Sequence, residues 1–151
     1  MAITTNAICN SFKKELLEGA HKFQFTSGSS FKLALYDSQA VLGASTTNYA
    51  TSEEVGNTGS YTAGGGALVK PNPSTSMASA TAIVDFSNLS FTSVSLTARG
   101  ALIYNTTTSG GSNTTDSVCV LDFGADKTAT SGTFTIQFPA FTTSAAILRI
   151  A

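Results

Sequence analysis

The spacing of the apolar residues changes once along this chain, and that change constrains the fold more than any other feature. Up to Gly19, Ile8, Phe12 and Leu16 recur at i, i+4 and i+8, the spacing of one face of a helix, with Cys9 and Leu17 widening the stripe. Thr5 or Asn6 is placed to cap such a helix and Gly19 to end it, so a helix is predicted over about 5–19. Lys13, Lys14, Glu15 and Glu18 fall mostly off the apolar stripe, and Glu18 follows Lys14 at i+4. Beyond Gly19 the period is two or the runs are short and wholly apolar, and turn residues separate them.

The strand signals follow in order. Phe23-Gln-Phe25 alternates, and Thr26-Ser-Gly-Ser-Ser30 reads as a turn. Phe31–Tyr36 alternates with Phe31, Leu33 and Leu35 on one face. Segment 37–73 is irregular, with Gly64-Gly65-Gly66 and Pro71-Asn72-Pro73, and reads as long loops with short strands near Tyr61 and Ala67–Val69. Further strands are predicted over Thr81–Phe86, Asn88–Phe91, Val94–Ala98, Gly100–Tyr104, Ser117–Phe123, Thr133–Phe138 and Ala145–Ile150. Asn105–Thr115 reads as a loop and Gly124–Gly132 as a turn. About eight to ten short strands without βαβ alternation predict a mainly β fold. The expectation is an antiparallel β-sandwich or jelly-roll-like barrel with one N-terminal amphipathic α-helix, in a single domain over 1–151. The sandwich would span about 22–151, with long loops in 37–80. Leu33, Leu35, Ile103, Leu121, Phe134, Ile136 and Phe138 hold the apolar phase of their strands and are the predicted core.

Composition bounds the partners. Of 151 residues only 11% are charged, against 42% hydrophobic, and Ser and Thr fill much of the gap. A surface poor in charge and rich in hydroxyls suits a protein packed against neighbours better than one dispersed as a monomer. A formal net charge of −1 offers no basic surplus for phosphates, so nucleic acid is not expected as a partner. No apolar run approaches a bilayer span, no polybasic anchor is present, and the opening Met1-Ala-Ile-Thr-Thr-Asn6 has neither the charge nor the apolar stretch of a signal peptide. Cys9 and Cys119 lie in different predicted elements with no CxxC, and read as free thiols in the core.

Catalytic groups are few. The single histidine, His21, has no GxSxG elbow to serve. Asp116, Asp122 and Asp126 lack the spacing of a calcium loop. Asp122-Phe-Gly124 matches the kinase metal-binding letters with none of the other kinase elements around it. Gly64–Gly66 is not followed by GK[ST]. Paired glycosidase carboxylates are not evident, and there is no Trp. No enzyme activity, cofactor or metal is therefore expected. The contact candidates are Ile8, Phe12 and Leu16 on the helix stripe, and Tyr49 and Tyr61 in the long loop region.

Four stretches carry a resemblance: Ala2–Gly19, Phe31–Tyr36, Ala98-Arg-Gly-Ala-Leu-Ile-Tyr-Asn105, and Val120-Leu-Asp-Phe-Gly-Ala-Asp-Lys127, the last followed by Gly132-Thr-Phe-Thr-Ile-Gln-Phe-Pro139. Together they resemble a family of small virion structural proteins of tailed phages of marine and freshwater bacteria, cyanophage-like, spanning nearly the whole chain. The resemblance implies a capsid decoration, or cement, protein on the capsid exterior. Its partners would be the major capsid protein and its own copies in a homotrimer, with assembly in the host cytoplasm. A tail, neck or adsorption component, one able to bind a host glycan, is the alternative.

Overall fold

The structure is a computed structural model that describes residues 3–107 and 113–151. Two antiparallel sheets and one short helix account for its regular elements. The larger sheet holds β1 (Ala7–Ile8), β2 (Phe31–Tyr36), β3 (Gly66–Ala67), β6 (Leu89–Asn105) and β7 (Ser117–Ile136), in the order β1-β7-β6-β2-β3. The smaller sheet holds β4 (Thr75–Ala78), β5 (Thr81–Val84) and β8 (Leu148–Ile150), in the order β4-β5-β8. The predicted class is correct, but neither sheet closes on itself, so the barrel form of the expectation does not hold.

The three strands expected over 88–104 are one strand, β6, and the strands expected either side of Gly124–Gly132 are one strand, β7. The predicted turn at 124–132 is a bend within β7. Phe123 and Phe134 are eleven residues apart on it, roughly 36 Å at strand rise. Their ring centroids are nevertheless only 6.2 Å apart, so the β6–β7 ribbon folds back on itself. Three irregularities make the bend. Two residues, Thr92 and Ser93, oppose Thr133; Thr130 and Ser131 oppose Ser95; and residues 123–126 oppose Arg99. Each holds one residue at positive φ: Ser93 at 55°, Ser131 at 47° and Gly124 at 76°. Bulges of this kind sharpen twist and turn a strand without ending it. At the widest, Asp122 accepts a hydrogen bond from the Gly124 amide and lies 3.3 Å from Arg99 Nε, an ion pair.

The helix, α1, runs over Asn10–Leu17, shorter than the predicted 5–19. Its N-terminal end fails as a helix because residues 7 and 8 pair with Val120 and Cys119 of β7, and the Cys9 amide donates to Val118 O. Neither Thr5 nor Asn6 caps the helix; Asn6 Oδ1 instead accepts from the Asp122 amide. The C-terminal end is as expected. Gly19 sits at φ 78°, its amide donates to Leu16 O and the Ala20 amide to Glu15 O, the paired bonds of a glycine-terminated helix. The Lys14–Glu18 pair forms at 2.9 Å.

Of the predicted core, Leu33, Leu35, Ile103, Phe134 and Ile136 are buried, while Leu121 and Phe138 are partly buried against the same cluster. β2 is buried on both faces, since Ala34 and Tyr36 are covered as well. Phe23-Gln-Phe25 forms no strand: Phe23 enters the core and Phe25 faces solvent. An aromatic chain joins the layers. Phe31 of β2 stacks on Phe23 at 4.7 Å and 2° and meets Phe86, beyond β5, at 5.7 Å, and Phe86 meets Phe138 at 5.8 Å. Through it both sheets close on one apolar core in a sandwich-like arrangement.

The segment between β2 and β3, expected to be a contact arm, is tied down along its length. The Val55 amide donates to Leu35 O, the Asp37 amide to Glu53 O, the Tyr49 amide to Thr115 O and the Ser117 amide to Thr47 O. It covers the edge of β2 that β3 leaves open and packs over the Tyr36 side.

Candidate interaction surface

The polar groups singled out from the sequence are occupied with structural tasks. His21 is buried beneath α1. Its Nε2 lies 2.7 Å from Glu15 Oε2, and its Nδ1 accepts from Asn105 Nδ2 at 3.1 Å. Both ring nitrogens are thereby engaged, and Phe12 and Phe31 flank the ring. Asp116 is buried and accepts from Asn48 Nδ2 and the Asn113 amide. Cys9 and Cys119 are free and buried, and burial pushes both thiols up, away from the reactive thiolate. Among the described residues no group of three His, Cys, Asp or Glu side chains is placed to hold a metal ion. No helix among the described residues is long and apolar enough to cross a membrane.

Tyr49 and Tyr61, expected at an interface, belong instead to an internal cluster that gathers all four tyrosines. Glu54 is its centre. Tyr49 Oη donates to Glu54 Oε2 at 2.6 Å, and Tyr61 Oη donates to Oε1 at 2.8 Å, as does the Gly64 amide at 2.7 Å. Tyr61 also accepts from the Leu35 amide and is fully buried. Tyr104 stacks on Tyr49 at 4.5 Å and donates to Gly64 O, and Tyr36 donates to Ala50 O. The physical reason is local. A phenol supplies a large apolar ring with one polar tip, and here every tip finds an acceptor within the segment that lies over β2.

This cluster gives the protein an alkaline limit. Burial, and after it the charge of Glu54, pushes Tyr104 up to about 12, and Tyr36, Tyr49 and Tyr61 are raised as well. Phenols in the unfolded chain titrate near pH 10. Above that pH the unfolded chain releases protons that the folded chain keeps, so the cluster's contribution is whole below about pH 10 and is lost as pH rises toward 12. Chemical unfolding at stepped pH should therefore show a midpoint that falls between about pH 10 and 12. A flat midpoint there would contradict the cluster.

The helix stripe divides. Phe12 is buried in the chain's own core. Leu17, expected to widen the stripe, is 91% exposed. Ile8 and Leu16 line a small apolar cleft of about 60 Å³, opposite Val84, Leu148 and Ile150 of the smaller sheet. Met77, Ala82 and Ile150 are neighbours across that sheet, and both Met77 and Ile150 are exposed.

Of the residues around the main open apolar groove, the sequence candidates include only Ile8. Beyond Asp122 no strand pairs with the outer edge of β7 among the described residues, because β1 covers only Cys119 and Val120. The sandwich is open along this side. A groove of about 370 Å³ runs into the opening, lined by Ile8, Leu121, Phe123, Ile136, Phe138 and Ile147 among others. A second hollow shares Phe123, Ile136 and Gln137 with it and has Lys127 at its rim. The alternation of Thr133–Phe138 signals a strand with one polar and one apolar face, but not that its edge lacks a neighbour.

The chain matches no family model, no curated protein and no solved structure.

Proposed function

We propose that this chain is a structural subunit of a tailed-phage particle, a capsid decoration protein that binds the major capsid protein lattice and stabilises it. The observation that carries the proposal is the open side of β7. An unpaired strand edge beside an apolar groove is surface that a protein partner covers favourably. The sparse charge of the chain and its Ser- and Thr-rich exterior fit a lifetime spent against other subunits, where hydroxyls bond across a wet interface. The virion setting rests on the resemblance carried by Ala2–Gly19, Phe31–Tyr36, Ala98–Asn105 and Val120–Lys127. Three-fold sites of a capsid lattice favour a homotrimer.

A ligand that binds only the assembled state stabilises it by mass action. Particles carrying the protein should outlast particles without it under heating and osmotic shock. Equal survival, with the protein found only on the tail, would refute the cement role and favour a tail or neck component.

A further inference from the structure

The outer edge of β7 is unequal along its length. From residue 123 to 131 it carries the devices that keep strand edges from pairing: two irregularities, at 123–126 and at 130–131, and the charged Asp126 and Lys127. From Gly132 to Ile136 β7 itself carries no extra residue; the one irregularity there, opposite Thr133, is the Thr92–Ser93 bulge of β6, on the side away from the bare edge. The segment Gly-Thr-Phe-Thr-Ile holds no charge and no proline, and it runs in regular register against β6 from Phe134–Phe91 to Ile136–Leu89. Phe134 and Ile136 point into the sandwich while Thr133 and Thr135 point out. The bare half of the edge borders both apolar hollows.

We propose, on the basis of the role above, that Gly132–Ile136 accepts an extended strand donated by a different protein subunit of the particle, its alternate apolar side chains filling the two hollows. The backbone selects the occupant. Unpaired amides and carbonyls along an edge are satisfied by another extended chain, whereas a docked helix, its backbone bonds already made, would leave them open. Strand spacing of about 4.8 Å sets the added strand's inward side chains over the groove, and its outward ones beside Thr133 and Thr135. The same strand already accepts a partner of this kind in its first half: Ala7–Ile8 pair there antiparallel, and Ile8 lines the same groove. The lining of the groove that reaches Ile8 is uncharged, so the inward positions of the donated strand over it are apolar and uncharged.

The test uses the full chain and, as probe, a short end-capped peptide of alternating Thr and Val with a fluorescent label. Its twin is N-methylated on alternate residues, which removes the pairing amides of one edge and keeps the side chains. Anisotropy should show saturable binding of the first peptide, with the twin and the Phe123→Lys variant each at least about tenfold weaker. Hydrogen exchange should show new protection confined to the amides around 132–136. No binding up to about 1 mM, or equal binding of the methylated twin, would overturn the proposal, the latter because it marks apolar adsorption. Protection of 132–136 in the isolated chain that grows with its concentration would also overturn it, by assigning the edge to a second copy. The same exchange measurement on particle-bound protein separates the two claims. Particle binding without protection at 132–136 refutes the strand and leaves the cement role standing. Peptide binding with failure to join particles refutes the cement role and leaves the strand site standing.

Discussion

Replacing Phe31 by Ala should lower stability by about 3–5 kcal/mol, the range for a large aromatic removed from a packed core. The expectation rests on position. Phe31 is 2% exposed, lies flat on Phe23 and meets Phe86 edge-on, so it touches the approach to β2 and the segment after β5 at once. Neither neighbour can collapse far into the space left, because the bond from Ser74 Oγ to Phe23 O holds one backbone and those from Asp85 N to Ser74 O and Ser87 N to Val69 O hold the other. For a chain of this size each kcal/mol moves the thermal midpoint by roughly 2–4 °C. A fall of roughly 6–20 °C in a thermal scan is therefore expected, and Phe31→Leu should recover most of it. A shift below about 3 °C would mean that the two sheets do not share this core.

The second large effect is expected at Glu54. Glu54→Ala removes the acceptor of two phenols and one amide, and Tyr61 Oη has no solvent to turn to. Stranding buried donors costs about 1–3 kcal/mol each. Glu54 is itself only partly buried and Tyr49 keeps access to water, so a total of about 2–4 kcal/mol is expected. Glu54→Gln should cost far less, because its carbonyl oxygen still accepts from Tyr61 and Gly64, and the Tyr49 hydroxyl can rotate to accept from its amide. Urea unfolding of the two variants, with amide exchange at Gly64 as a local probe, checks the ranking. Equal stability of Ala, Gln and the natural chain would show that the segment over β2 is held by other contacts.

Much of the β content was legible because strand periodicity is a local signal. Phe31–Tyr36 and Ser117–Phe123 alternate or run apolar within a few residues, and both are strand. What the local signal lacks is the distinction between ending a strand and bending one. Gly124 reads as a turn because glycine takes positive φ freely, and Ser93 and Ser131 because serine hydroxyls bond nearby backbone in turns; in the fold all three take positive φ inside bulges instead. The chain therefore reads as several short strands where the fold has two long bent ones. β4, with the small and polar Thr75-Ser-Met-Ala78, carries too weak a pattern to stand out, and its pairing with β5 decides it.

The contact candidates fared according to the range of the interactions that place them. Tyr61 looks like an exposed loop aromatic because the groups that bury it, Leu35 and Phe91, lie 26 and 30 residues away. Ile8 stayed at the surface because β1 draws the chain out of the helix just before Cys9, leaving it at the rim of two hollows, while Leu16 packs partly against the core. The open side of β7 is defined by the lack of a paired strand among the described residues, and no pattern within one strand reports that.

The central claim is that this open side is covered by another protein subunit in a particle. Cryo-electron microscopy of the intact particle tests it directly. The account predicts the chain on the outer capsid surface, with a neighbouring subunit's density lying along β7 and filling the groove between Phe123 and Ile136. Particles that lack the chain, or that carry it with this groove turned to solvent, would contradict it.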